Sequence, residues 1–339
     1  MKRGIALLEE NSRSSLNIAV RCFNKAIELR GGLPLGSSPW FRYGLAAGWM
    51  NRGDALTRLG SREDLTKALR SYDEALNQLR QIPLEESFLF RKRLAIAWLN
   101  RGHTLLSGLD LAESVRSFDQ AIAVLKHEGA SRIPEQGFLL GCAWMNRGNA
   151  LLRFAPPDFL AAGTAAREAM NLLAEAQRTE LAAAEAGLKA RHVLCRAVVG
   201  LSRKQCDAGQ EAGEWVGEAT DAVDGGLELI RHWELRGVTS FRALAGEFFR
   251  FGARAYQIYQ PHFLAEFILE NLDPEQSPGA SEAVEMRLEA RRVLWRELRR
   301  IQTDIFKVSP QQFEQVLGRL GELSAAERRL NVLQQRQKV

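Results

Sequence analysis

Residues 143–151 read AWMNRGNAL. Residues 48–56 read GWMNRGDAL, and residues 97–105 read AWLNRGHTL. One chain thus carries three copies of a nine-residue motif, built around Trp49, Trp98 and Trp144. Such a period signals a repeat array, and it has to be settled before any local reading. A second pattern follows each copy. Ala68, Tyr72 and Ala75 are spaced by four and then three, and so are Ser114, Phe118 and Ala121. Ala19-Phe23-Ala26, Ala162-Ala166-Ala169 and Ala219-Val223-Gly226 repeat that spacing. Five such stripes predict about five units, three of them with the full tryptophan motif.

Spacings of three and four place residues on one face of a helix. Trp49, Gly53 and Leu56 share a face by the same test. Ser38-Pro39 offers a cap followed by a first-turn proline. Asp110 with Glu113 has capping-box spacing, with Asp in place of Ser or Thr. Pro83, Pro134 and Pro156-Pro157 fall between helices, and no segment alternates in polarity as a strand would. Each unit therefore reads as two antiparallel helices. Glycine and alanine allow close approach, the aromatic rings fill the remaining space, and the units must stack to cover their apolar faces.

The pattern resembles that of the tetratricopeptide repeat family over roughly residues 1–230. Trp98, Gly102, Leu105, Ser114, Phe118 and Ala121 follow the family spacing. Trp49, Gly53, Leu56, Ala68, Tyr72 and Ala75 follow it with three residues added between the helices. The period is longer than the family's, and arginine (52, 101, 147) stands where the family has leucine. The resemblance implies an all-α, right-handed superhelical solenoid of antiparallel helix pairs over 1–232, with a helical C-terminal region over 233–339. It also implies a concave groove lined by the first helices.

With each tryptophan set at zero and a step of about 100° per residue, Asn51 lies near about 200° and Asp54 near about 140°, opposite the packed stripe. The expected groove carries a ladder of Asn51, Asn100 and Asn146 and a second of Asp54, His103 and Asn149. Met50, Leu99 and Met145 are expected as an adaptable apolar strip. An asparagine amide both donates and accepts, so a ladder of them suits an extended peptide backbone. The competing reading has these asparagines bonded to neighbouring helices. Arg52, Arg101 and Arg147 lie near about 300°, at the edge of the stripe. There they can lay their methylenes on the core and pair with an acid on the second helix. A row of phosphate-binding arginines is the alternative.

Composition bounds the rest. The 339 residues are 46% hydrophobic and 26% charged, with net charge +5. That small excess forms no basic tail, so nucleic acid is not the expected partner. Cysteines 22, 142, 195 and 206 lack metal or redox spacing, which suggests a reduced, intracellular setting. The start, MKRGIALLEENSRSS, lacks a signal-peptide core, and no window is long and apolar enough to span a membrane. The expected location is the cytoplasm.

The aromatic stretch 241–268 reads as a closing helix pair or a binding patch, and 271–281 as a loop. The run 282–306 reads as a solvated helix, and Ser309-Pro310 and Ser324 with Glu327 open further helices. His192 and Cys195, three apart on one helix, read as packing rather than a catalytic dyad. Gly209, Gly213 and Gly217 read as a surface for close helix contact. No catalytic or cofactor motif is present, so the function expected is a non-enzymatic scaffold, adaptor or regulatory subunit that holds a protein or peptide without a cofactor; the alternatives are a nucleic-acid-associated or phosphate-sensing subunit that uses the arginine rows, and an enzyme with an unrecognised site in the C-terminal third.

Overall fold

The computed structural model describes residues 1–107, 110–126, 133–207 and 213–233, together with 244, 247, 248, 251 and 252. Side chains of 202–216 and 231 are outside that description. Among the described residues the chain is all helical, with no strand. Ten helices follow in order: α1 Lys2–Glu10, α2 Arg13–Gly31, α3 Pro39–Leu59, α4 Arg62–Leu79, α5 Phe88–Leu106, α6 Leu111–Leu125, α7 Pro134–Leu151, α8 Phe159–Leu173, α9 Leu181–Asp207 and α10 Gly213–His232. The chain divides into two units, Met1–Ala186 and Gly187–Val339, within α9 and ahead of the boundary expected at 232. The expectations for 253–339 lie outside the described residues, as does Gly209.

The first unit is built from consecutive helix pairs, α1/α2, α3/α4, α5/α6 and α7/α8, each packed on the next. Local chemistry sets the turns. Ser38 caps α3 through the Trp40 N–H with Pro39 in the first turn, and Ser61 caps α4 through Asp64. Gly60 closes α3 in the left-handed region at φ 76°, which glycine adopts without strain. Its neighbour Ser61 then opens α4, so the chain reverses within two residues. Asp110 caps α6 by accepting from the Glu113 N–H at 2.9 Å. Glu113 does not return the bond, because its carboxylate is held by Arg116 and Arg101.

The five alanine/aromatic stripes fall on α2, α4, α6, α8 and α10, and all fifteen residues are buried. Phe23, Tyr72 and Phe118 are at most 1% exposed. Each ring lies on a glycine of its paired first helix. A Cβ added at Gly4, Gly53 or Gly102 would sit 2.6 to 2.7 Å from the ring of Phe23, Tyr72 or Phe118. The helices therefore touch at a point where only hydrogen fits, and the ring covers the gap. Burial of such a ring stabilises by roughly 2–3 kcal/mol. In the α7/α8 pair the ring position is Ala166, fully buried.

The motif arginines bind the pairs to one another. Arg52 Nε donates to Asn24 Oδ1 at 2.7 Å, Arg101 Nε to Asp73 Oδ1 at 2.8 Å and Arg147 Nε to Asp119 Oδ1 at 2.7 Å. Every bond reaches back 28 positions, to the residue after the stripe aromatic on the preceding second helix. Nη1 of Arg52 and of Arg101 also donates to Ser71 and Ser117 of its own pair, at 2.5 and 2.8 Å. Each guanidinium lies over its own tryptophan, at 5.6 to 5.7 Å. Trp98 and Trp144 take a second cation from the end of the preceding second helix, Arg80 at 5.1 Å and Lys126 at 5.0 Å. A further arginine, Arg58 or Arg153, donates to the carbonyl of Leu8 or Leu106, near the C-terminal end of the first helix one pair back.

Candidate functional site

These contacts fix what surrounds a first helix. Its own second helix lies near about 40°, where Gly53 meets Tyr72. The preceding second helix lies near about 300°, where Arg52 reaches Asn24. The following first helix covers about 80–120°: Thr57 bonds to Thr104 at 2.9 Å, and Tyr43 lies 3.8 Å beneath the Arg93 guanidinium. Thr104 and Arg93 themselves point to about 220–240°, toward the preceding first helix. The directions from about 140° to about 200° remain uncovered by these neighbours.

Asn51, Asn100 and Asn146 occupy that open sector on α3, α5 and α7, and each is half-buried. Among the described residues their side-chain amides form no hydrogen bond. None of their polar atoms is shut away from solvent either. The neighbouring arginines present the opposite picture, since all three spend their Nε on the preceding pair.

The second row is mixed. Asp54 pairs with Arg58 at 3.2 Å, one turn on. His103 is exposed and Asn149 half-buried. The expected apolar strip needs correction. Met50 and Met145 are buried, at 7% and 8% exposure, and Met50 belongs to the core shared by α3, α5 and their second helices. Leu99 is half-buried against the same core. The reason is angular: this position lies near about 100°, the side taken by the following first helix. A single helix cannot reveal that direction, because it depends on how one pair packs on the next.

Two residues absent from the sequence expectation share the open sector. Trp40 and Leu89 each stand nine positions before a motif tryptophan, near about 180°. They are 51% and 44% exposed. That common offset was the available signal. Another missed signal is Arg3-Gly4, which repeats the motif's Arg-Gly and places α1 as a first helix packed on Phe23.

Electrostatics follows the packing. Burial acts to lower the pKa of Arg101, but its bonds to Asp73 and Glu113 outweigh it and the net shift is upward. Arg52, which faces an amide rather than a carboxylate, is lowered by burial. Bonds from Arg116 and Arg101 hold the Glu113 carboxyl below its ordinary value. Burial raises the Tyr72 phenol, despite hydrogen bonds with Thr57 and Thr104.

In the second unit, His192 bonds to Glu247 and not to Cys195. Burial lowers the imidazole pKa against the pull of Glu247. Cys195 is buried, lies 3.9 Å from the Ala219 carbonyl, and its thiol is pushed up to about 12 by burial. Such a thiol is a poor nucleophile at neutral pH. Cys22, Cys142 and Cys195 form no disulfide. Gly217 meets nothing within 4 Å among the described residues. Gly226 instead receives the ring of Phe248, 3.0 Å from where its Cβ would stand. Among the described residues no helix is long and apolar enough to cross a membrane.

No family model matches the sequence, and no curated protein matches it. Among solved structures, the chain is similar to the crystal structure of BtubC (BKLC) from P. vanneervenii, with a TM-score of 0.51. The match covers 81% of this chain and 92% of that one at 14% identity, so the likeness is one of fold alone.

Proposed function

We propose that this chain is a non-enzymatic scaffold or regulatory subunit that holds an extended segment of a partner protein. The repeated helix pairs form a right-handed solenoid of the tetratricopeptide kind, and the open sector of α3, α5 and α7 is its concave working face. One observation carries the reading. Asn51, Asn100 and Asn146 recur at one position on successive first helices, half-buried, with no hydrogen bond among the described residues. Their polar atoms reach solvent, so water serves these amides in the free chain and a ligand's backbone can take its place. Three in register suit a ligand whose backbone supplies the missing donors and acceptors.

The arginine rows favour the scaffold over a phosphate-sensing subunit. Arg101 and Arg147 already face carboxylates, and Arg101 has a side-chain exposure of only 17%. A phosphate would have to displace bonds that join the pairs. Residence in the cytoplasm belongs to the same proposal.

The test is a pull-down from native extract with wild type and an Asn51→Ala/Asn100→Ala/Asn146→Ala variant of matched helicity. A partner lost with the variant supports the groove. A partner retained by the variant removes the asparagines from the account. Recovery of nucleic acid, with affinity falling steeply with salt, would favour the arginine rows.

A further inference from the structure

The open sector is not chemically uniform along the helices. Its middle carries the amides, whereas its N-terminal end carries Trp40 and Leu89, two large apolar side chains about half exposed. Trp40 packs edge-on to Tyr43 and Phe90, with ring centroids 5.2 and 4.9 Å away. Tyr43 and Phe90 lie 5.7 Å apart. Phe90 is buried at 2% exposure and forms the floor, so Trp40 is held in place with its outer surface bare. Exposed aromatic surface on a rigid base is what partner-binding patches consist of.

Among the described residues the cations nearby are spent, with one exception. Arg42 donates to Gln78 at 2.9 Å, Arg91 to the Leu84 carbonyl at 2.9 Å, and Lys92 pairs with Glu135. Arg93 stacks its guanidinium 3.8 Å from the Tyr43 ring centroid. Among the described residues its N–H groups have no hydrogen bond and no carboxylate. A stacked guanidinium keeps its in-plane donors available, and these suit a carboxylate in particular.

We infer that Trp40, Leu89 and Arg93 form an anchoring subsite for a partner segment that carries a large apolar side chain and, within a few residues of it, an Asp or Glu. The inference rests on the groove reading above and adds the chemical class of its occupant. The apolar side chain covers Trp40 and Leu89, and the carboxylate meets Arg93. Trp40 and Asn51 are eleven residues apart on α3, a rise of ~16 Å. One extended residue cannot bridge that distance, so the anchor and the backbone held by the amides are separated by about five residues of the partner. The segment therefore enters at the N-terminal ends of α3 and α5 and crosses toward Asn51 and Asn100.

The experiment is selection of random peptides displayed on phage against the full chain, repeated on Trp40→Ala, Arg93→Glu, Arg93→Gln and the triple asparagine variant, each checked for helicity. The wild type is expected to enrich peptides with a large apolar residue near an acid. Arg93→Glu should lose the acid, or exchange it for Lys or Arg, and keep the apolar residue. Trp40→Ala should lose the apolar preference. Arg93→Gln should lower binding of the selected peptides by about tenfold, as expected for one charge-assisted bond. The same enrichment on wild type, Trp40→Ala and Arg93→Glu would overturn the anchor. If those peptides still depend on the asparagines, the groove reading survives its loss. If selected peptides need Trp40 and Arg93 but ignore the asparagine variant, the anchor stands and the groove reading falls. Recovery of no peptide by the wild type counts against both.

Discussion

Arg101 Nε donates to Asp73 Oδ1 at 2.8 Å, and the same reach of 28 positions joins Arg147 to Asp119 and Arg52 to Asn24. The arginine of each motif thus serves the preceding pair and, for Arg52 and Arg101, its own second helix as well. It ties one pair to the next. Its companion asparagine has no such duty.

A double-mutant cycle on Arg147→Ala and Asp119→Ala should show a coupling of about 0.5–1 kcal/mol, because the pair is only partly buried. Urea denaturation of the four proteins measures it. Additive effects would mean that the bond contributes nothing to the seam. Asn24→Asp gives Arg52 the carboxylate that its two counterparts have, and should stabilise by roughly 0.3–1 kcal/mol.

Gly102→Ala puts a Cβ 2.7 Å from the Phe118 ring. It should destabilise by about 1–3 kcal/mol despite alanine's better helix propensity. Gly217→Ala meets nothing within 4 Å among the described residues and should stabilise by up to about 1 kcal/mol. Thermal melts of both variants decide it, and equal effects would contradict the close-approach account.

Glu113 is held below its ordinary value, 4.5, by Arg116 and Arg101. A depressed carboxylate stabilises the fold above the unfolded pKa and loses that contribution as pH falls through the folded one. Wild type should therefore exceed Glu113→Gln in melting temperature at neutral pH. The gap should close on acidification below about pH 4.5. A gap that persists at pH 2 would show that the carboxylate's charge is not what matters.

Much of this was legible before any coordinates. Spacings of three and four decide which residues of one helix share a face, and those faces were read correctly for the glycines, the aromatic rings and the motif arginines. The partner expected for the arginines, an acid on the second helix, is found within its own pair by Arg101 in Glu113, whereas Arg147 reaches an acid and Arg52 an amide on the preceding pair. What the spacing could not give was the direction of the next pair. Met50 and Met145 were misplaced for that reason: their angle is exposed on an isolated pair and covered in an array. Trp40 and Leu89 were missed because their offset is shared by two pairs only, the α7 counterpart being Glu135.

The most direct test of the central claim follows the asparagine side chains themselves. The chain is labelled with 15N at asparagine only and titrated with a peptide selected on the wild type. The NH2 resonances of Asn51, Asn100 and Asn146, assigned by single Asn→Gln substitutions, are then recorded. The account predicts that all three shift together, saturate at one affinity, and exchange more slowly with water as the ligand's backbone engages them. Saturation of the peptide with those three resonances unmoved would place the binding face elsewhere and contradict the account.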